Sequence, residues 1–263
     1  MNKIYTTDKD KFISYNHYKS NKKNNLHIIF LHGLMSNMEG VKACFIEDYC
    51  KVKDYNFTKF DNFGHGKSSG RFTSETISSW LYGLELVLQE FQNDELTLIG
   101  SSMGAWVSML AAIKHPAKVK NLICIAPAPD FTEDSIWKKL PPSKQLEMQS
   151  AGVLNVAGPH CGSGYPISYK LIEDARNHLL LNLESIKISC PVHLIHGSLD
   201  LDIPASVSTQ LFDKIVSSQV VLKLIKDGEH NLSRQSDLQI IINSLEEILN
   251  TNGAVNLKLD YNS

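Results

Sequence analysis

The sequence predicts an α/β fold: a mostly parallel, eight-stranded sheet flanked by helices, with a small helical cap inserted over its C-terminal edge. Three observations predict it. Short apolar runs alternate with helix-periodic segments along most of the chain, the pattern of βαβ units whose strands are buried on both faces. The apolar run that begins at Leu96 stops at Gly100-Ser101-Ser102-Met103-Gly104, and a helical pattern over about 105–115 follows. Strand, sharp turn and helix therefore come in that order, the context that gives G-x-S-x-G its meaning. Finally, residues 130–187 break the rhythm with Pro141-Pro142, helical segments at about 143–151 and 166–181, and the loop GPHCGSGYP (158–166). This stretch reads as the cap.

Each element has its own local reason. Residues 4–7 and 12–18 read as short strands joined by the polar turn Asp8-Lys9-Asp10, and NKKNN (21–25) is a solvated loop. Residues 26–31 (LHIIFL) form a strongly apolar strand that runs into His32-Gly33. Residues 40–52 have helical spacing, 57–60 form a strand ending at Asp61, and 64–71 (GHGKSSGR) form a Gly/Ser loop. Residues 77–91 predict an amphipathic helix, because Trp80, Leu81, Leu84, Val87, Leu88 and Phe91 recur at i, i+3, i+4 and i+7. Beyond the elbow, 121–126, 192–196 and 220–225 are the remaining strands, with helices at about 205–216 and 236–249. The tail after Asn250 is polar, and the chain shows no internal repeat.

Composition narrows the class. A chain of 263 residues fits one large domain, residues 1–263, with the cap at about 130–187 inserted in it. A net charge of −2 gives no general attraction to nucleic acid or to an anionic membrane. No apolar run reaches the length of a membrane span. The opening MNKIYTTDKDKFISY has no apolar core of a secretory signal. Cys44, Cys50, Cys124, Cys161 and Cys190 are odd in number, scattered and without a C-x-x-C pair, which suits reduced thiols in a cytoplasmic protein and gives no metal site. Nucleotide binding is disfavoured: DNFGHGKS (61–68) lacks the P-loop spacing, and GSSMGAW lacks G-x-G-x-x-G.

A serine hydroxyl is a poor nucleophile until a base lies within hydrogen-bond reach and an acid orients that base. The G-x-S-x-G pattern puts Ser102, not Ser101, at the apex. In this architecture the acid follows a late strand and the histidine follows the last one. Asp200 follows the strand 192–196, with Asp130 and Asp202 as alternatives; Asp202 also suits a helix cap before Pro204. His230 follows the strand 220–225, with His160 in the cap as the alternative, while His193 and His196 read as structural strand residues. Two backbone N–H groups are needed to hold a developing oxyanion, and Leu34 and Met103 are placed to supply them. His32 reads as a support of that loop. Trp106, Phe131, Trp137, Leu140, Leu146 and Met148 could line an apolar substrate pocket or simply pack the cap.

Together these pieces resemble the serine α/β-hydrolase superfamily, through LHG (31–33), DxxGHGxS (61–68), GSSMG (100–104), HGSLDLDIP (196–204) and GEHNLS (228–233). HGLMSNMEGVKA, GSSMGAW, APAPDFT, LPPSKQLEM, PISYKLIEDARNHLLL and CPVHLIHGSLDLDIP resemble the narrower α/β-hydrolase domain 10 type, a branch with palmitoyl-protein thioesterase and acyl-glucuronide esterase activities. The resemblance implies a triad of Ser102, Asp200 and His230 beneath a small helical lid. It also implies cleavage of ester or thioester bonds through an acyl-enzyme, on small acyl substrates or S-acylated proteins, with no cofactor. A C–C bond hydrolase or peptidase on the same triad, or a non-catalytic ligand-binding fold, are the alternatives. Asn37, where Asp is expected, and Ala105, where Gly is common, depart from the branch pattern.

Overall fold

The computed structural model describes residues 1–7, 9–22, 25–158 and 161–251. The apolar runs become one sheet: β1 (Asn2–Tyr5), β2 (Phe12–Tyr18), β3 (Leu26–Leu31), β4 (Asn56–Phe60), β5 (Glu95–Ser101), β6 (Val119–Ile125), β9 (Val192–Gly197) and β10 (Val220–Ile225). The order across it is β1-β2-β4-β3-β5-β6-β9-β10. β2 is antiparallel to both neighbours, and every pairing from β4 to β10 is parallel. The helices are α1 (Val41–Lys53), α2 (Ile77–Glu90), α3 (Met103–Lys114), α4 (Pro142–Ala151), α5 (Tyr169–Ala175), α6 (Ser206–Lys214) and α7 (Gln235–Thr251). None of them is long and apolar enough to cross a membrane.

The two-residue period of a strand divides the core. Ile28 and Phe30 of β3 face α1 and α7, where Ile46, Ile241, Leu245 and Ile248 are buried. Ile29 and Leu31 face the other way, onto Trp80, Leu84 and Val87 of α2 and Val107 of α3. This arrangement fixes where a site can form. The chain leaves β3 toward β4 and later leaves β5 toward β6, so their connections diverge at the sheet's C-terminal edge. A crevice opens where strand order reverses in this way, and Leu31 pairs with Gly100 directly beneath it.

The segment between β6 and β9 is less helical than its sequence predicts. After a π turn (Thr132–Ile136) and a 3-10 turn (Trp137–Lys139) come α4, a hairpin of β7 (Val153–Gly158) and β8 (Cys161–Ser168), and α5. Residues read as a loop therefore belong to strands, and the second helix starts at Tyr169 rather than 166. Gly164 and Pro166 look like loop punctuation. In the hairpin, Pro166 is in register with Asn155, and Gly164, at φ +73°, allows an approach in which a Cβ would lie 2.7 Å from Val156 O. His160, the alternative base, lies outside the described residues. So do Asp8, Lys23, Asn24 and the polar tail from residue 252. Cys44, Cys50, Cys124 and Cys190 are free thiols.

Two buried histidines make stability depend on pH. His27 Nδ1 is 2.8 Å from Asp94 Oδ2 and its Nε2 is 2.8 Å from Thr58 Oγ1. Burial pushes it down to about 4 despite the hydrogen bond to Asp94. Burial, and the neighbouring His65, push His32 down to about 3. Both values lie below the ordinary ~6.5 of an unfolded histidine. The unfolded chain therefore takes up protons first, and stability falls as pH drops below that value. We expect a loss of about 5 kcal/mol between pH 7 and 4.5, seen as a Tm lower by about 15 °C. A level Tm across that range would contradict the burial of these rings as neutral groups.

Candidate active site

β5 ends at Ser101 and α3 begins at Met103, which leaves Ser102 alone at the turn with φ 55° and ψ −119°. A non-glycine residue avoids that conformation unless its surroundings hold it there. Ser102 N–H donates to Ile125 O at 2.8 Å, and its carbonyl accepts from Ala105 N at 3.0 Å and from Ala128 N at 3.3 Å. The flanking glycines let helix and strands approach. A Cβ on Gly100 would overlap Gly104 O and lie 2.5 Å from Ala105 Cα; one on Gly104 would lie 2.5 Å from the carbonyls of Leu31 and His32. These obstacles are backbone and cannot swing aside. Gly100→Ala is therefore expected to cost more than about 3 kcal/mol. Thermal unfolding of the variant checks this, and an unchanged Tm would refute the close approach.

The loops after β9 and β10 touch, which brings Asp200 and His230 together. A Cβ on Gly197 would overlap the Gly228 carbonyl, and Leu199 N–H donates to Gly228 O at 2.8 Å. His230 Nδ1 lies 2.7 Å from Asp200 Oδ2, and His230 Nε2 lies 2.9 Å from Ser102 Oγ. Asp200 Oδ1 accepts the N–H groups of Asp202 at 3.0 Å and Ile203 at 2.9 Å. Burial alone would raise the Asp200 carboxyl. Hydrogen bonds from His196, His230 and the Ile203 amide outweigh it and hold the group well below the usual carboxylate range. An ionised Asp200 only accepts, so the Nδ1 of His230 carries the proton and its Nε2 faces the serine as an acceptor.

The other acids are engaged elsewhere. Asp130, at φ 58°, accepts Leu180 N–H and Leu181 N–H, each at 2.8 Å, and so ties the end of the inserted segment to the body. Burial raises its carboxyl, partly offset by those two amides. Asp202 lines the cavity above Ser102 and gives its own N–H to Asp200.

Gly33 sits against the serine: a Cβ there would lie 3.2 Å from Ser102 Cβ and 3.9 Å from Ser102 Oγ. Two histidines hold this loop. His32 donates from Nδ1 to Gly33 O at 2.8 Å and accepts Asn62 N–H at Nε2, 3.1 Å away. His65 accepts Met35 N–H at 3.2 Å and donates to Phe63 O at 3.1 Å. Asp61 adds acceptors for Met38 N–H and Lys67 N–H, both at 2.7 Å. Between these anchors, Leu34 N–H meets no acceptor among the described residues, and neither does Met103 N–H. Met103 opens α3, where a helix has no carbonyl to offer its first amides. The reading of 64–71 as a plain Gly/Ser loop missed His65, and that of His196 as a strand residue missed its contact with Asp200.

A cavity of about 800 Å³ lies over Ser102 and His230, with Phe131, Ile136, Val156, Tyr165, Ile167 and Leu201 among its walls. Of the six residues expected in a substrate pocket, only Phe131 is there. Trp106 points under the inserted segment, donates from Nε1 to His178 O at 3.1 Å and packs edge-on against Phe131. Trp137 stacks at a tilt on Tyr169 beneath Arg176, while Met148 is fully buried and Leu140 packs on the core. Leu146 is exposed. These side chains fasten the inserted segment, and the hairpin supplies cavity wall in their place.

Comparison with known proteins fits this geometry. The family described as serine aminopeptidase, S33, matches residues 22–164. The mitochondrial palmitoyl-protein thioesterase ABHD10 of Mus musculus is 34% identical over 233 residues, covering 88% of this chain and 78% of that protein. Its Homo sapiens counterpart is 31% identical, covering 88% and 76%. The chain belongs to the α/β-hydrolases of the ABHD10 type. The structure of mouse α/β-hydrolase domain-containing protein 10 superimposes with a TM-score of 0.86 at 31% identity, covering 95% of this chain and 98% of that one. A hydrolase from Agrobacterium vitis S4 gives 0.88 at 29% identity, covering 94% and 96%. The expected cytoplasmic location is overturned, because the ABHD10 relatives are named as mitochondrial proteins. Charge and cysteine usage argue against secretion but do not separate cytoplasm from the interior of an organelle.

Proposed function

We propose that this chain hydrolyses carboxylic esters and thioesters through an acyl-enzyme on Ser102, with Asp200 and His230 completing a triad. The observation that carries this reading is the continuous hydrogen-bonded line from Asp200 Oδ2 through the His230 ring to Ser102 Oγ, at 2.7 Å and 2.9 Å, on the floor of the cavity. Ser102 Oγ attacks the acyl carbonyl as its proton passes to His230 Nε2, and Asp200 stabilises the resulting imidazolium. The oxyanion rests on the free N–H groups of Leu34 and Met103. His230 returns the proton to the leaving alcohol or thiol, then takes one from water, which releases the carboxylic acid and restores Ser102.

Residues 130–187 act as a cap whose hairpin and Phe131 wall the acyl group. An apolar wall favours long acyl chains, and the relatives named palmitoyl-protein thioesterase support S-acyl substrates, including S-acylated proteins. Each methylene that leaves water contributes about 0.8 kcal/mol, up to about fourfold in kcat/KM. We expect kcat/KM for p-nitrophenyl esters and acyl thioesters to climb with chain length until the cavity is full. A profile that is flat, or that falls beyond acetyl, would overturn the assignment of the cavity to the acyl chain.

A further inference from the structure

Asp200 Oδ2 has a second partner besides His230. His196 Nε2, at the end of β9, lies 3.0 Å from the same oxygen. It also lies 3.0 Å from Ile203 O, and His196 Nδ1 is 2.7 Å from the hydroxyl of Ser208 in α6. The contacts of the His196 ring are dry: His196, Ser208 and the Asp200 carboxyl are closed to solvent. A carboxylate and a carbonyl only accept, so His196 Nε2 must carry a proton and donate. Ser208 engages the other nitrogen and prevents the ring from flipping.

We propose that His196, fixed by Ser208, is a positioning residue that acts on the reaction through Asp200. Two consequences follow, and both rest on the triad reading given above. With Oδ1 held by two amides and Oδ2 by His196, the carboxylate keeps one rotamer, so its hydrogen bond to His230 needs no ordering during turnover. The His196 N–H, which Ile203 O also accepts, lies 3.0 Å from Oδ2 and lowers that oxygen's basicity toward His230. Among the described residues, His196 and His230 face Oδ2, the backbone amides of Asp202 and Ile203 face Oδ1, and the Asp202 side chain stands within 4.8 Å of ligand atoms of Asp200 and His230.

His196→Leu keeps a comparable apolar volume but removes the donor. It is expected to lower kcat about 10- to 30-fold with KM within about twofold, the range for a hydrogen bond to a charged group. The acid limb of kcat/KM should move up by about half a pH unit, because the freed Oδ2 binds the His230 imidazolium more tightly. His196→Gln retains an N–H near the Nε2 position and should recover most of the rate. Ser208→Ala, the milder variant should leucine at 196 prevent folding, should lower kcat about threefold and move the limb in the same direction. In an Asp200→Asn background, His196→Leu should have little further effect on kcat. The inference is overturned if His196→Leu or Ser208→Ala leaves kcat and the acid limb unchanged, or if glutamine is as poor as leucine. It is also overturned if the loss persists undiminished in the Asp200→Asn background. Failure of the triad reading is a separate result: Ser102→Ala would then retain full activity, whatever the His196 series shows.

Discussion

Ser102→Ala is expected to lower kcat on esters and thioesters by about 10⁴-fold or more, with Tm almost unchanged. The separation of the two effects follows from the elbow. Alanine has the same Cβ as serine, so the cost of holding residue 102 at φ 55° stays as it is, and the backbone bonds to Ile125, Ala105 and Ala128 remain. Only the hydroxyl is lost, and with it the atom 2.9 Å from His230 Nε2. In the proposed mechanism any remaining turnover comes from water attack aided by the Leu34 and Met103 amides. Residues of the proposed triad would act as a unit, so His230→Ala should cost about as much, and the double variant little more. Steady-state kinetics together with thermal unfolding of the three variants measure this. Undiminished kcat in folded Ser102→Ala would remove the nucleophile from the mechanism.

Asp200→Asn is expected to lower kcat by about 10³- to 10⁴-fold. The amide has one correct orientation here. Oδ1 accepts two backbone N–H groups, so the carboxamide oxygen settles on Asp202 and Ile203 and its NH₂ takes the Oδ2 position. That NH₂ then faces His230 Nδ1 as a donor. His230 must accept there, its proton shifts to Nε2, and the ring points N–H at Ser102 in place of a lone pair. The same NH₂ also opposes the His196 donor. Asp130→Asn separates this effect from a general loss of charge. Its oxygens serve Leu180 and Leu181, so the expected penalty is about 1–3 kcal/mol of stability with activity within a few-fold. Kinetics and Tm of the two variants side by side give the test. A larger kcat loss in Asp130→Asn would move the acid to the end of β6.

Local signals made the sheet and the elbow legible in the sequence. LHIIFL and VHLIH are apolar enough to be read as buried strands without tertiary information, VVLKLI reads the same way but forms the edge strand β10 with only Ile225 buried, and Gly100 and Gly104 flank Ser102 because strand and helix cross there. Asp200 and His230 could be placed because each follows a strand of that kind. The hairpin of β7 and β8 was hidden by its own glycines and by Pro166, which are loop signals until a partner strand lies beside them. The cavity wall was hidden for a related reason. Trp106 and Trp137 are large and apolar, but whether such a side chain faces a substrate or fastens a segment depends on what the chain brings next to it, here His178 O and Tyr169. His65 and His196 stand inside DxxGHGxS and HGSLDLDIP, but the motifs do not show their contacts: His65 meets Met35 N–H from a distant loop, and His196 meets Asp200 four residues on.

The most direct measurement of a nucleophilic Ser102 is intact-mass and peptide-mapping analysis of the full chain after treatment with a fluorophosphonate. One adduct is expected, on the peptide carrying Ser102, forming quickly in the wild type, far more slowly in His230→Ala, and absent in Ser102→Ala. A wild-type protein that takes up no adduct, or Ser102→Ala labelled as fully as the wild type, would contradict a serine nucleophile at the elbow.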